Sequence, residues 1–157
     1  MNDVVKPDQP GSVLFCCDHN SVRSPMAEAI LKAHIGKAIY AQSAGVVHER
    51  DIDGFAVAVC KEIEIELERH QTRSFEELSE TGDEIESYDL IIAMSPKAYE
   101  MAKQIFHDQS EKVEYWPIAD PMAQGDALHH ETRDAILGEY RKVRDSIHQH
   151  IIKRFPI

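Results

Sequence analysis

Cysteine is scarce in this chain of 157 residues, which has three, two of them adjacent as Cys16 and Cys17. An odd number cannot all pair, and neighbours on a strand point to opposite faces. A disulfide framework is therefore excluded, and a reducing compartment is expected. Long apolar runs are lacking too, so no stretch suggests a bilayer span. Residues 1–11 are polar and proline-containing, without the apolar core of a signal peptide. The expectation is a cytoplasmic protein with no membrane partner. Cations are in deficit: 17 Lys and Arg against 28 Asp and Glu leave a formal net charge of −11. That balance argues against nucleic acid as a partner. Repeats, low-complexity tracts and long linkers are also missing. The chain reads as one domain over residues 12–157 behind a flexible tail of residues 1–11.

What is present is concentrated in Cys17 to Ser24, written CDHNSVRS. An apolar run, Val13 to Cys16, precedes it, and a helix-like run from Pro25 to Leu31 follows. A strand thus delivers a thiol into a short loop that closes at a helix start, with Ser24 expected as N-cap and Pro25 as first helical residue. There the backbone N–H groups and the helix dipole make a seat for phosphate. The same field favours a thiolate nucleophile. Arg23 can add parallel charge-assisted hydrogen bonds to the oxyanion. Asp18, His19, Asn20, Ser21, Val22, Arg23 and Ser24 would line the cradle.

Around this segment, strands and helices alternate. Strands are expected at residues 12–17, 38–42, 88–94 and 113–116, with Ser43-Ala44-Gly45 as a turn. Helices are expected at residues 25–35, closed by Gly36, at 54–63 and at 96–106, with a turn of helix at 74–79. Residues 63–67 alternate with period two, leaving strand or helix open. A last helix from about His130 carries Ile136, Tyr140, Val143, Ile147, Ile151 and Phe155 along one face. Cys60 reads as core, and Trp116 as a strand-end core residue or a stacking face. The acidic stretch over residues 62–86 reads as solvated surface. The fold class that follows is α/β: one parallel sheet with helices on both faces. Ligands bind such sheets beyond the carboxyl ends of their strands. Cys17, Ser43, Met94, Ser95 and Asp120 all fall at that edge. Asp120-Pro121 is the leading proton donor, because proline holds Asp120 extended and a bound dianion favours the protonated carboxyl.

With these residues assembled, the chain resembles the low-molecular-weight protein tyrosine phosphatases and the arsenate reductases that share their fold. The resemblance rests on VLFCCDHNSVRSPMAEA, on Ala119-Asp120-Pro121, on QSAG at Gln42 to Gly45 and on HQTRS at His70 to Ser74. It implies a flavodoxin-like four-stranded sheet of order 2-1-3-4, neither metal nor cofactor, and a phosphorylated substrate (protein or small molecule) or an inorganic oxyanion as partner. Nothing in the sequence sets an oligomeric state. By resemblance, Cys17 attacks phosphorus, Arg23 and the loop amides hold the oxygens, Ser24 supports the sulfur, and Asp120 is acid and then base. Asn20 takes a left-handed conformation, and Ser43 and His70 fix Asn20 and Ser24.

The chain departs from the family at four places. Met122 stands where an aromatic residue usually follows the late Asp-Pro. The loop of residues 46–53 lacks an aromatic, with His48 the nearest flat side chain. Met94 and Ser95 stand where many relatives carry an aspartate. Asp18 and His19 replace residues that are often apolar and glycine, and Asp18 is expected to face solvent. The favoured function is hydrolysis of phosphomonoesters through a phosphocysteine. Arsenate reduction by an external thiol and non-catalytic anion binding are the alternatives.

Overall fold

The computed structural model describes residues 9–121 and 132–157. Four parallel strands, β1 (Ser12–Cys17), β2 (Tyr40–Gly45), β3 (Leu90–Ala93) and β4 (Val113–Tyr115), form one sheet in the order β2-β1-β3-β4. The described helices are α1 (Arg23–Ile35), α2 (Gly54–Lys61), α3 (Phe75–Glu80), α4 (Pro96–Ile105) and α5 (Arg133–Arg154). This is the expected flavodoxin-like architecture. Among the described residues, no helix is long and apolar enough to cross a membrane.

Period-two alternation along β1 divides the core into two layers. Val13, Phe15 and Cys17 face a cluster with Met26 and Ile30 of α1, Val59 and Cys60 of α2, and Tyr140, Val143, Ile147 and Ile151 of α5. Leu14 and Cys16 face the other cluster, with Phe75 and Leu78 of α3 and Ala98 and Ala102 of α4. β1 is therefore buried on both sides, which is why its sequence is a continuous apolar run. Each fully buried Val, Leu, Ile, Phe or Met among them contributes about 1.5–3 kcal/mol relative to leaving it exposed. Trp116 joins the first cluster and tilts against Phe15, so it is core. Cys60 is core as well, and burial pushes its thiol up to about 11.

Three sequence expectations are corrected. Ser43, Ala44 and Gly45 are the end of β2, in register with Phe15, Cys16 and Cys17; pairing with the buried strand overrides the turn preference of these small residues. Residues 63–67 form neither strand nor helix: Glu64 takes φ 63°, and the Ile65 N–H turns back to the Cys60 carbonyl, closing α2. Ser24 is not the cap of α1. The helix begins at Arg23 with Val22 as N-cap and no side-chain cap, which leaves the Ser24 hydroxyl for the site. The other helix starts do use side chains: Asp53 for α2, Ser74 with Glu77 in a capping box for α3, Ser95 for α4 and Thr132 for α5. His130 and Met122 lie outside the described residues.

Candidate active site

The carboxyl end of β1 lies at the centre of the sheet, and the chain leaves it as a tight loop that re-enters helix at Arg23. Cys17 is buried, its Sγ 3.0 Å from the Ser24 Oγ and 3.4 Å from the Ser24 amide nitrogen. The loop bends at Asn20, which adopts φ 58°, a left-handed conformation that asparagine tolerates better than most residues. β2 passes so close beneath it that a Cβ on Gly45 would sit 2.8 Å from the Asn20 nitrogen and from the His19 carbonyl carbon. Glycine is required here by the approach of two backbones.

A chain of hydrogen bonds fixes the bend. The Asn20 side-chain nitrogen donates to the hydroxyls of Ser24 at 2.8 Å and Ser43 at 2.9 Å. Its oxygen then accepts from the Arg73 amide at 3.1 Å and contacts His70 Nε2 at 2.9 Å. The amide orientation makes the latter contact a donation from His70. The Ser43 hydroxyl donates to Glu28 at 2.6 Å, and Lys32 closes the row on the other Glu28 oxygen. Because Ser24 accepts from Asn20, its hydroxyl proton is available to the Cys17 sulfur. Burial holds His70 below its ordinary value, outweighing the opposing pull of the Glu28 carboxylate. Neutral His70 with its proton on Nε2 fits this row.

Arg23 is held from behind. Its Nη1 donates to the Met94 carbonyl at 2.9 Å and the Ile118 carbonyl at 3.1 Å, at the ends of β3 and beyond β4. Its Nη2 lies 3.7 Å from one oxygen of Asp120 and 3.7 Å from one oxygen of Asp18. The residues named from sequence therefore gather: Cys17, His19, Ser21, Val22, Arg23 and Asp120 line one narrow cleft, while Asn20, Ser24, Ser43 and His70 brace it. Asp18 corrects its expectation, because it turns toward Arg23 rather than standing free in solvent. Opposite charge 3.7 Å away draws it in.

Sequence reading missed four members of this arrangement. Arg50 lines the cleft, and Arg73 bonds Ser43 O at 3.0 Å and the Gln42 side chain. Glu28 ends the serine row, and Asp53 ties the loop to its surroundings. Asp53 caps α2, accepts from the Tyr140 hydroxyl at 3.0 Å, and donates its amide to Ser21 O at 3.0 Å. An acid among the apolar residues Met26 to Leu31 was a signal for Glu28; for Arg50 there was none. His48 is drawn away to Glu77 at 2.8 Å and offers no flat wall. A larger groove of about 760 Å³ is lined by Trp116, Gln149, His150, Ile152, Lys153 and Arg154, away from the residues of this cleft. Among the described residues, no three His, Cys, Asp or Glu side chains gather to hold a metal.

The family model for low molecular weight phosphotyrosine protein phosphatase matches residues 12–153. Arsenate reductase 1 of Staphylococcus haemolyticus is 25% identical over 140 residues, covering 89% of this chain and 91% of that one. Among solved structures, the YwlE arginine phosphatase of Geobacillus stearothermophilus superposes with a TM-score of 0.70 at 26% identity, covering 92% of this chain and 90% of the other. The Erwinia amylovora tyrosine phosphatase AmsI shares the fold with a TM-score of 0.68 at 24% identity over 97% of each chain. The chain belongs to the low molecular weight phosphotyrosine protein phosphatase family, as an enzyme of the cysteine-based phosphatase and arsenate reductase type.

Proposed function

We propose that this chain hydrolyses phosphomonoesters, on a protein or a small molecule, through a phosphocysteine formed on Cys17. The observation that carries this reading is the convergence of the Cys17 sulfur, the Arg23 guanidinium and the Asp120 carboxyl on one narrow cleft. Arg23 has two of its donors committed to carbonyls and turns the remaining edge toward the cleft. Such a fixed fork suits a planar face of phosphoryl oxygens.

In the first step the Cys17 thiolate bonds to phosphorus as the ester P–O bond breaks, and Asp120 gives its proton to the departing oxygen. In the second, Asp120 takes a proton from water as the water oxygen bonds to phosphorus, and the P–S bond breaks. The Ser24 hydroxyl, 3.0 Å from the sulfur, stabilises the thiolate that leaves. Arg23 and the loop amides hold the equatorial oxygens throughout. Asn20, Ser43 and His70 act by keeping Ser24 and the loop in place.

A second reading, arsenate reduction, is favoured by the Staphylococcus relative. Cys16 and Cys60 are both fully buried, and Cys16 faces the other core layer. The reductant on this reading is an external thiol.

One preparation assayed with p-nitrophenyl phosphate, phosphotyrosine, phosphoserine, phosphoarginine and arsenate, beside Cys17→Ser, separates the cases. Phosphate release with a trapped phosphocysteine, both absent in Cys17→Ser, is the expected result. Wild type indistinguishable from Cys17→Ser at about pH 5 to 7 would reject hydrolysis. Arsenate-dependent thiol consumption without ester hydrolysis would favour the reductase. Phosphate binding without a phosphocysteine would leave an anion-binding module.

A further inference from the structure

A cradle of backbone amides holds an anion only if its N–H groups point inward. In a planar trans peptide the N–H of one residue points opposite to the carbonyl of the residue before it. Pinning a carbonyl on the outside of the loop therefore aims the next amide at the cleft. The loop after β2 pins three of them: Val46 N donates to Cys17 O at 3.0 Å, Val47 N to Asp18 O at 3.1 Å and Asp53 N to Ser21 O at 3.0 Å. The first two extend the pairing of β1 with β2. The third comes from the start of α2, where no strand register enforces it, and it governs the Val22 N–H. Val22 is buried, lines the cleft and is the N-cap of α1. Among the described residues, its N–H meets no acceptor.

Asp53 is itself held from two sides. One carboxylate oxygen caps α2, accepting from Phe55 N at 2.8 Å and Ala56 N at 3.1 Å. The other accepts from the Tyr140 hydroxyl at 3.0 Å. Tyr140 is fully buried in the core side of α5, with its ring 5.4 Å from that of Phe55. Burial, and then the Asp53 carboxylate, push the Tyr140 hydroxyl well above its ordinary value, so it keeps its proton and donates. Packing alone would be served by the ring. The hydroxyl completes a strut that runs from the core of α5 through Asp53 to the Ser21 carbonyl.

We propose that Tyr140 and Asp53 are positioning residues for the Val22 N–H, aiming it at the phosphoryl oxygens so that its contact strengthens in the transition state. Neither residue lines the cleft itself. This rests on the cradle being an oxyanion site, as argued above, and adds the device that shapes one part of it.

The test follows the backbone amides of the full chain by nitrogen–proton correlation NMR during titration with inorganic phosphate. In wild type the Val22 amide proton should move downfield, as a donor does on meeting a charged acceptor. Tyr140→Phe keeps the ring and deletes the hydroxyl. It should cut that movement to about half or less, while the Asp18 and His19 amides, held through Val46 and Val47, respond as before. In parallel, kcat for p-nitrophenyl phosphate should fall about tenfold with KM within about twofold, less than the loss of an oxyanion donor outright. Asp53→Asn keeps an oxygen for the cap but accepts less strongly from Tyr140. It should behave alike, and the double variant should be no worse than the poorer single, because both act through one carbonyl. A lowered thermal midpoint with kcat and the Val22 response at wild-type levels would leave a packing role alone and overturn the proposal. Additive losses, or a Val22 amide that stays still in wild type, would overturn it too. Should Tyr140→Phe fail to fold, Asp53→Asn decides by the same readouts. A Val22 response that depends on Tyr140 in a protein without turnover would sink the phosphatase reading and keep this one. Turnover with a Val22 response indifferent to Tyr140 would do the reverse.

Discussion

The floor and the rim of the cleft are built by opposite rules. In the floor, Asn20, Ser24, Ser43, Glu28 and His70 form a continuous row in which each polar group meets another. In the rim, one Asp18 oxygen and the buried His19 Nδ1 make no hydrogen bond, and Arg50 stands exposed. A satisfied row holds one geometry, because each bond limits the freedom of the next. An unsatisfied rim meets a ligand with charge and hydrogen-bonding capacity to spare. The contrast teaches that the geometry of the floor is set by the fold, whereas the rim leaves charged side chains able to respond to whatever enters the cleft.

The comparison breaks most sharply at Asp120, the rim residue assigned to proton transfer. Asp120→Ala should lower kcat for p-nitrophenyl phosphate by about 10²- to 10⁴-fold with the thermal midpoint little changed. A variant retaining wild-type kcat would remove Asp120 from the mechanism. Next in size is Gly45→Ala, which strikes the floor from beneath. The added carbon would lie 2.8 Å from two backbone atoms of the loop, and backbone must shift to admit it. A displacement of about 1 Å can cost on the order of 10²-fold in rate, and stability should fall with it. Normal turnover in Gly45→Ala would show that the floor is softer than its packing suggests.

How much of this was legible in the sequence follows the same division. The alternating strands and the thiol at the end of β1 could be read because continuous apolar runs and helix-start signals are local, whereas the order of the sheet came from resemblance. The bracing roles of Asn20, Ser43 and His70 became legible only through resemblance, since a contact across 23 or 50 residues leaves no local trace. Ser24 was read as a cap on local rules, but the sulfur competes successfully for its hydroxyl. The end of β2 was read as a turn because Ser, Ala and Gly are weak strand formers, and a central strand overrode them. Asp18 was expected in solvent because the pull of Arg23 depends on where α1 begins. Arg50 was invisible: an exposed arginine in a polar loop is ordinary until the loop closes on the cleft.

Within the floor, His70 gives a smaller effect that depends on pH. Burial lowers its proton affinity in the folded state. The unfolded chain then binds more protons than the folded one below the ordinary histidine value of about 6.5. Stability from this group is fully present above that value and declines as pH falls through the window between the unfolded and the lowered folded values. His70→Gln removes the titration, and its stability should fall less steeply on acidification than that of wild type. Parallel denaturant midpoints for the two proteins across that window would show that His70 contributes nothing to acid sensitivity.

The smallest effect is expected at Arg50, where the rim is most open to water. Arg50 lines the cleft with its side chain exposed, and no role in proton transfer or in bracing the floor falls to it. On the proposed function, what is left for it is long-range attraction for an incoming phosphate in a chain whose net charge of −11 otherwise repels anions. Attraction of that kind acts on encounter and loose binding alike and is screened over about 10 Å at 0.1 M salt. Arg50→Ala should therefore raise KM on the order of threefold at low ionic strength and leave kcat and the thermal midpoint unmoved. The KM difference should shrink toward nothing as salt is added. A salt-independent loss, or one that appears in kcat, would mean that Arg50 touches the phosphoryl group in the transition state, and the line between floor and rim would have to be redrawn to include it.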